Sequence, residues 1–181
     1  HAAQGSNGLA LARAGHLILC QHGDRRIAEL QQAGHFTTVA SHYKGKRLNS
    51  PNDLVYARNG ALYFTDPPYG LVGDVEREQS ISGVFRLSST DGKLSLLTGE
   101  LSWPNGIAFS PDEETLYIAV SDPEAPRWVK YPVKDDGTLG DGTVFYDALS
   151  LSKTLGGLPD GMKVDKQGNI YAAGPGGLYV F

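Results

Sequence analysis

Residues 48–70 read LNSPNDLVYARNGALYFTDPPYG, and the rest of the chain repeats the pattern of this stretch. It holds two short runs of strand-forming residues, 54–56 and 62–65, separated by the turn sequence Arg58-Asn59-Gly60. Two such runs around a glycine-containing turn predict a β-hairpin. A polar Asn-Asp pair stands directly ahead of the first run, so an amide or a carboxylate heads this strand.

The same unit occurs four times along the chain. The residues that head the hairpins are Asn7, Asn52, Asn105 and Asp160, spaced 45 to 55 residues apart. Strands are predicted at residues 9–11, 16–20, 26–30, 36–39, 53–56, 61–65, 83–87, 93–98, 106–109, 115–120, 127–133, 143–147, 161–164, 170–173 and 177–181. Four strands per repeat of this length are typical of a β-propeller blade.

We therefore predict an all-β protein with blade-like repeats at about 7–45, 49–99, 102–148 and 157–181, all within one propeller domain. A β-sandwich with accidental similarity between hairpins is the alternative. Fewer than four complete blades cannot close a ring and would leave sheet edges exposed. We accordingly expect a longer protein, with at least one further blade before residue 1 and another after residue 181.

The composition narrows the classes of partner. The net charge of −4 argues against nucleic acid, because the 16 Lys and Arg residues give no excess with which to neutralise phosphates. No window approaches the roughly 20 apolar residues that a membrane-spanning helix needs. The single cysteine, Cys20, follows an apolar run and is predicted to be a buried thiol. The residues indicate neither a compartment nor an oligomeric state.

Four motifs carry a family resemblance that runs over essentially the whole chain. They are RLNSPND at 47–53, YFTDPPYG at 63–70, PNGIAFSPD at 104–112 and PDGMKVD at 159–165. The chain resembles the gluconolactonase/regucalcin family, and its bacterial gluconolactonase branch in particular. The resemblance implies a six-bladed propeller with one divalent cation, usually Ca²⁺, at the top of the central channel. It also implies that these repeats are the second to fifth blades and that a metal-binding Glu lies in the first.

The geometry of a propeller supports a cation site independently. The innermost strand of each blade lines the axis, so the residues that head these strands are expected to form a ring at one mouth of the channel. Amide and carboxylate oxygens suit a hard cation such as Ca²⁺. We predict Asn105, Asp160 and Asn52 as ligands, with Asn7 heading the equivalent strand. For any single pair, an ordinary Asn-Gly or Asp-Gly turn is the competing interpretation.

The resemblance implies hydrolysis of a sugar lactone to an aldonic acid. A bound cation would polarise the lactone carbonyl, and Asp160 would serve as the catalytic base, with direct attack of its carboxylate on the carbonyl as the alternative. Segments that follow the second strands return to the same mouth, where His22 and Tyr69 would line a pocket. The predicted substrate-binding residues are Asn52, Asn49, Arg47, His22 and Tyr69. A diisopropyl-fluorophosphatase-like phosphotriesterase and a non-catalytic interaction propeller are the alternatives.

Overall fold

The computed structural model describes residues 5–71, 73 and 75–181. The chain divides after Glu100 into two compact units, here called the N-terminal unit and the C-terminal unit. The N-terminal unit contains two four-stranded antiparallel sheets and a two-stranded one, and the C-terminal unit contains a four-stranded and a three-stranded sheet. Every sheet is built from strands that are consecutive in sequence. In the part of the chain that is described, no helix is both long and apolar enough to cross a membrane.

The N-terminal unit contains the first two repeats. Its first sheet, in the order β1-β2-β3-β4, consists of β1 (Ser6–Leu11), β2 (Leu17–Gln21), β3 (Arg26–Leu30) and β4 (Phe36–Ala40). A short hairpin follows, formed by β5 (His42–Tyr43) and β6 (Lys46–Arg47). The second sheet consists of β7 (Leu54–Tyr56), β8 (Leu62–Asp66), β9 (Gly83–Leu87) and β10 (Leu94–Thr98), paired in chain order.

The C-terminal unit contains the third and fourth repeats. Its four-stranded sheet consists of β11 (Pro104–Phe109), β12 (Thr115–Val120), β13 (Arg127–Pro132) and β14 (Thr143–Asp147). The helix α1 (Leu149–Leu155) then leads to a three-stranded sheet of β15 (Met162–Val164), β16 (Ile170–Gly174) and β17 (Gly177–Val180).

Each unit buries its own apolar core. In the N-terminal unit, Leu54 and Phe64 are almost completely buried, and the Phe64 ring stacks on Phe85 with centroids 5.4 Å apart. In the C-terminal unit, the core is built around fully buried Trp128, whose ring meets the edge of Phe181 at 5.4 Å. Burial of these large side chains supplies most of the driving force that holds the strands of each unit in register.

The predicted strands agree with the observed ones to within a few residues. Three short elements were not predicted: the 3₁₀ helix Gln32–Gly34, the hairpin β5–β6 and the helix α1. Helix α1 has only seven residues and buries none of them, so it leaves no apolar period in the sequence. That all four repeats belong to one propeller domain stays a prediction.

Candidate functional site at the strand heads

The heads of the first strands of successive repeats touch within each unit. In the C-terminal unit, a Cβ added to Gly106 would lie 2.4 Å from the carbonyl oxygen of Asp160. In the N-terminal unit, a Cβ on Gly8 would lie 2.6 Å from Cα of Asp53, and the Gly8 N–H donates to the Asn52 carbonyl at 2.7 Å. Glycine is therefore required at both positions by close backbone approach, and the turn interpretation does not explain it.

Asn105 is fixed by a short chain of hydrogen bonds. Its amide nitrogen donates to Ser121 Oγ at 2.9 Å, and the Ser121 hydroxyl donates in turn to the carbonyl of Pro159, the residue before Asp160. Ser121 is buried, whereas Asn105 is half-buried. Because the amide nitrogen is directed at Ser121, Oδ1 is the Asn105 atom that could serve as a cation ligand.

Asp160 differs from Asn105 in the environment of its side chain. Its backbone N–H donates to the carbonyl of Ala173 at 2.9 Å, which fixes the strand head. The residue is exposed, and within residues 5–71, 73 and 75–181 its carboxylate makes no hydrogen bond or ion pair. A solvated carboxylate held on a rigid strand head is suited to bind a cation or accept a proton.

Asn52 heads the equivalent strand in the N-terminal unit. Its backbone is anchored, since its N–H donates to the carbonyl of Thr65 at 2.9 Å. The residue is only 3% exposed, yet its side-chain amide has no hydrogen-bond partner among the described residues. Neither amide atom is among the fully buried polar atoms that lack a partner, so the amide keeps a small contact with solvent and is open to a ligand.

His22, Asn7 and the loop after β8 come together beside this strand head. The amide nitrogen of Asn7 lies 3.4 Å from Nε2 of His22. A Cβ on Gly70 would lie 2.7 Å from Cβ of His22 and 2.8 Å from Cβ of Ser50, so the loop packs closely on both residues. Partial burial lowers the pKa of His22, which keeps its ring neutral at neutral pH.

The remaining predicted substrate-binding residues lie in the same unit with their polar groups engaged. Asn49 is fully buried, and its amide nitrogen donates to the carbonyls of Asp66 and Ile81 at 3.0 and 2.8 Å. Arg47 is half-buried, and its guanidinium donates to the carbonyl of Asp24 at 2.9 Å. Tyr69 is half-buried beside Gly70 in the loop after β8. Their roles in substrate binding stay predictions.

A buried polar network beneath the Asn52 strand head was not predicted. Asp66 accepts a 2.8 Å hydrogen bond from the Asn49 N–H, and buried Arg25 donates through Nε to the carbonyls of Leu48 and Asn49. Arg77 adds a bond to Asn49 Oδ1 at 3.3 Å. Within the described residues, Nη2 of Arg25 and Oδ1 of Asp66 have no hydrogen-bond partner.

Complete burial raises the pKa of Asp66 to about 7, against the opposing effects of backbone N–H donors at Asn49 and Ser50 and the charges of Arg25 and Arg77. The strand-end position of Asp66 in the 63–70 motif is the one signal that the sequence offers for this network. Arg25 and Arg77, which supply positive charge and hydrogen bonds to this network, lie in other loops of the chain, so no local sequence pattern predicts their contact with it.

The donor types fit a hard divalent cation better than a soft one. The described residues contain no group of three or more His, Cys, Asp or Glu side chains able to hold a metal ion. The predicted set contains one carboxylate and two amides, so it would present oxygen atoms alone. Oxygen donors suit Ca²⁺ or Mg²⁺, whereas zinc prefers His and Cys.

The comparisons confirm the predicted class of fold, a β-propeller. A solved gluconolactonase from Xanthomonas campestris superposes with a TM-score of 0.89 at 36% identity, covering 98% of this chain and 58% of that one. Over residues 1–181 the sequence matches the family described as SMP-30/Gluconolactonase/LRE-like region. The chain belongs to this family.

Two further relatives define the extent of the similarity. A gluconolactonase from Zymomonas mobilis is 43% identical over 183 residues, covering 98% of this chain and 51% of the relative. The calcium-binding protein regucalcin from Agrobacterium tumefaciens superposes with a TM-score of 0.70 at 23% identity, covering 93% of this chain and 53% of that one, and shares the fold. The chain thus spans between about half and three-fifths of the length of these proteins.

Proposed function

We propose that the protein hydrolyses sugar lactones to aldonic acids at a site that contains a divalent cation, Ca²⁺ in the first instance. The observation that carries the proposal is the carboxylate of Asp160, which is exposed and has no partner among the described residues. Asp160 heads the first strand of the fourth repeat, where the backbone packs closely against Gly106 of the third repeat. The two gluconolactonases, at 36% and 43% identity, support the choice of substrate class.

The cation would be held by Asp160 and by Oδ1 of Asn105, with Asn52 as a further ligand or a contact to substrate. When bound, it would supply Lewis-acid polarisation of the lactone carbonyl. Asp160 accepts the proton of the attacking water at its carboxylate, which makes that water a stronger nucleophile. The neutral ring of His22 and the amide of Asn52 offer hydrogen bonds to sugar hydroxyl groups.

A three-substrate assay on the full-length protein tests the proposal. Glucono-1,5-lactone, an organophosphate triester and a long-chain acyl lactone are compared by pH-indicator kinetics, with and without chelator followed by Ca²⁺. We expect glucono-1,5-lactone to be turned over fastest and activity to be lost with chelator and restored by the cation. Faster turnover of the organophosphate would favour a phosphotriesterase, and no turnover of any substrate would reject catalysis.

Asp160→Asn is the decisive variant because it removes the charge and the proton acceptor while keeping the size of the side chain. We expect the chemical step to slow by about 10²–10⁴-fold, the range for loss of a general base. Asp141→Asn is the matched control, since Asp141 is an exposed acid in the same unit. Equal activity of the two variants would remove Asp160 from the mechanism.

A further inference from the structure

In the first and third repeats, one residue after the second strand contacts the side chain of the residue that heads the first strand. In the first and third repeats the residue two after the head pairs across the sheet, Leu9 with Leu19 and Ile107 with Ile118. Three residues beyond each partner stand His22 and Ser121. These are the residues that contact the amides of Asn7 and Asn105. We call this the facing position.

The second and fourth repeats have the same register but a different residue at the facing position. Leu54 pairs with Phe64, and Met162 pairs with Ala172. Counting three residues on gives Pro67 and Pro175. A proline side chain has no hydrogen-bonding group, and its nitrogen carries no hydrogen.

The consequence is visible at the strand heads. Asn7 and Asn105 contact their facing residues, whereas the side chains of Asn52 and Asp160 have no hydrogen-bond partner in the described part of the chain. The facing residues His22 and Ser121 also donate backbone N–H groups, to the carbonyls of Gly5 at 3.0 Å and Trp103 at 2.9 Å. Proline removes that donor as well.

Pro175 has a second explanation, because Gly174 pairs with Gly177 and Pro175-Gly176 therefore forms a two-residue hairpin turn. Gly176 has a φ of +75°, as the second central residue of a type II turn does, and type II turns favour proline at the position before it. Pro67 is different: it is buried and leads into the long loop before β9. The argument accordingly rests on Pro67 and Asn52.

We propose that Pro67 is a positioning residue that keeps the side-chain amide of Asn52 out of the protein's own hydrogen bonding and so available to a ligand at the strand head. The proposal rests on the proposed function for the nature of that ligand, a lactone or its cation. It explains why the side-chain amide of Asn52 has no partner among the described residues, whereas the amide of the equivalent Asn105 donates to Ser121.

The test replaces Pro67 by the residue found at the facing position of the third repeat. In Pro67→Ser, the new hydroxyl is expected to accept a hydrogen bond from Asn52 Nδ2, as Ser121 does from Asn105. Pro67→Ala is the matched control, because it restores the backbone N–H without the hydroxyl. The first readout is independent of activity: NMR exchange of the Asn52 side-chain amide hydrogens should slow in Pro67→Ser relative to Pro67→Ala.

The second readout is lactone hydrolysis by the full-length protein. In Pro67→Ser, the hydrogen bond from Asn52 to the new hydroxyl must be broken before the Asn52 amide can contact the ligand. The value of kcat/KM should therefore be about 5- to 10-fold lower in Pro67→Ser than in Pro67→Ala. In an Asn52→Ala background the two variants should be equal, since nothing remains for the hydroxyl to capture. A merely structural effect of the serine would persist in that background.

The outcomes separate the two proposals. Unchanged exchange in Pro67→Ser, or slowed exchange with unchanged kcat/KM, overturns the role of Pro67. Absence of lactone hydrolysis in the wild-type protein rejects the proposed function, and the exchange measurement still judges the hydrogen-bonding claim. If Pro67→Ser folds poorly, Ser121→Ala is the converse variant. It should speed exchange of the Asn105 amide hydrogens, and unchanged exchange there counts against the facing-position rule.

Discussion

Asp66 is a fully buried carboxyl group whose pKa is raised from 3.8 to about 7, chiefly by removal from water. In the unfolded chain the group ionises near pH 4, while in the folded protein it stays protonated up to about pH 7. Its stabilising contribution is thus complete below about pH 4 and is lost as the pH rises to 7. Linkage limits the change to about 4 kcal/mol.

Asp66→Asn should remove this pH dependence, because the amide oxygen can still accept from the Asn49 N–H but carries no charge. The free energy of unfolding, measured with urea at pH 4.5 and pH 8, should favour the variant more at pH 8 than at pH 4.5. Asp135→Asn, at an exposed acid, is the control. A variant-minus-wild-type difference that is the same at both pH values would show that Asp66 is ionised in the folded state throughout.

At the scale of the element, the strand heads depend on two glycines that neighbouring backbone approaches closely. An added Cβ at Gly8 or Gly106 would lie 2.4–2.7 Å from backbone atoms of the next strand head, which cannot move aside as a flexible side chain could. Overpacking of this kind costs about 1–3 kcal/mol. Gly8→Ala and Gly106→Ala should each lose stability of that order in chemical denaturation.

Matched alanine variants distinguish close approach from general glycine effects. A Cβ at Gly99 or Gly140 would have its nearest neighbour at 3.4 Å, an ordinary contact. We expect Gly99→Ala and Gly140→Ala to change the free energy of unfolding by no more than about 0.5 kcal/mol. If Gly106→Ala were as stable as Gly140→Ala, the tight junction at Asp160 would be refuted.

The strands were predictable because their signal is local. Short runs of strand-forming residues and turn glycines set each hairpin, and the recurrence of one pattern indicated which hairpins are equivalent. That recurrence also identified Asn52 and Asp160 as the residues that head equivalent strands. The recurrence did not predict that the amide of Asn105 has a hydrogen-bond partner while that of Asn52 has none among the described residues. That difference depends on the residue at the facing position, which can be identified only once the register is known. The network of Asp66, Arg25 and Arg77 likewise depends on contacts between distant loops.

At the scale of the whole molecule, a cation bound at the proposed site would stabilise the folded state by mass action. A ligand present at 100 times its dissociation constant adds about 2.7 kcal/mol to the free energy of unfolding. The unfolded chain does not hold Asn105 and Asp160 together, so it would bind the cation weakly. Ca²⁺ added to chelator-treated full-length protein should therefore raise Tm in a concentration-dependent manner.

The Tm increase should depend on the carboxylate. Asp160→Asn should shift the dependence of Tm on Ca²⁺ to higher concentration, because the remaining donors of the predicted set are neutral amides and bind a divalent cation less strongly. Asp141→Asn, which removes an equal charge elsewhere in the C-terminal unit, should respond as the wild type does. Identical Ca²⁺ titrations for wild type and Asp160→Asn would place the cation on other residues, and the role proposed for Asp160 in cation binding would be rejected.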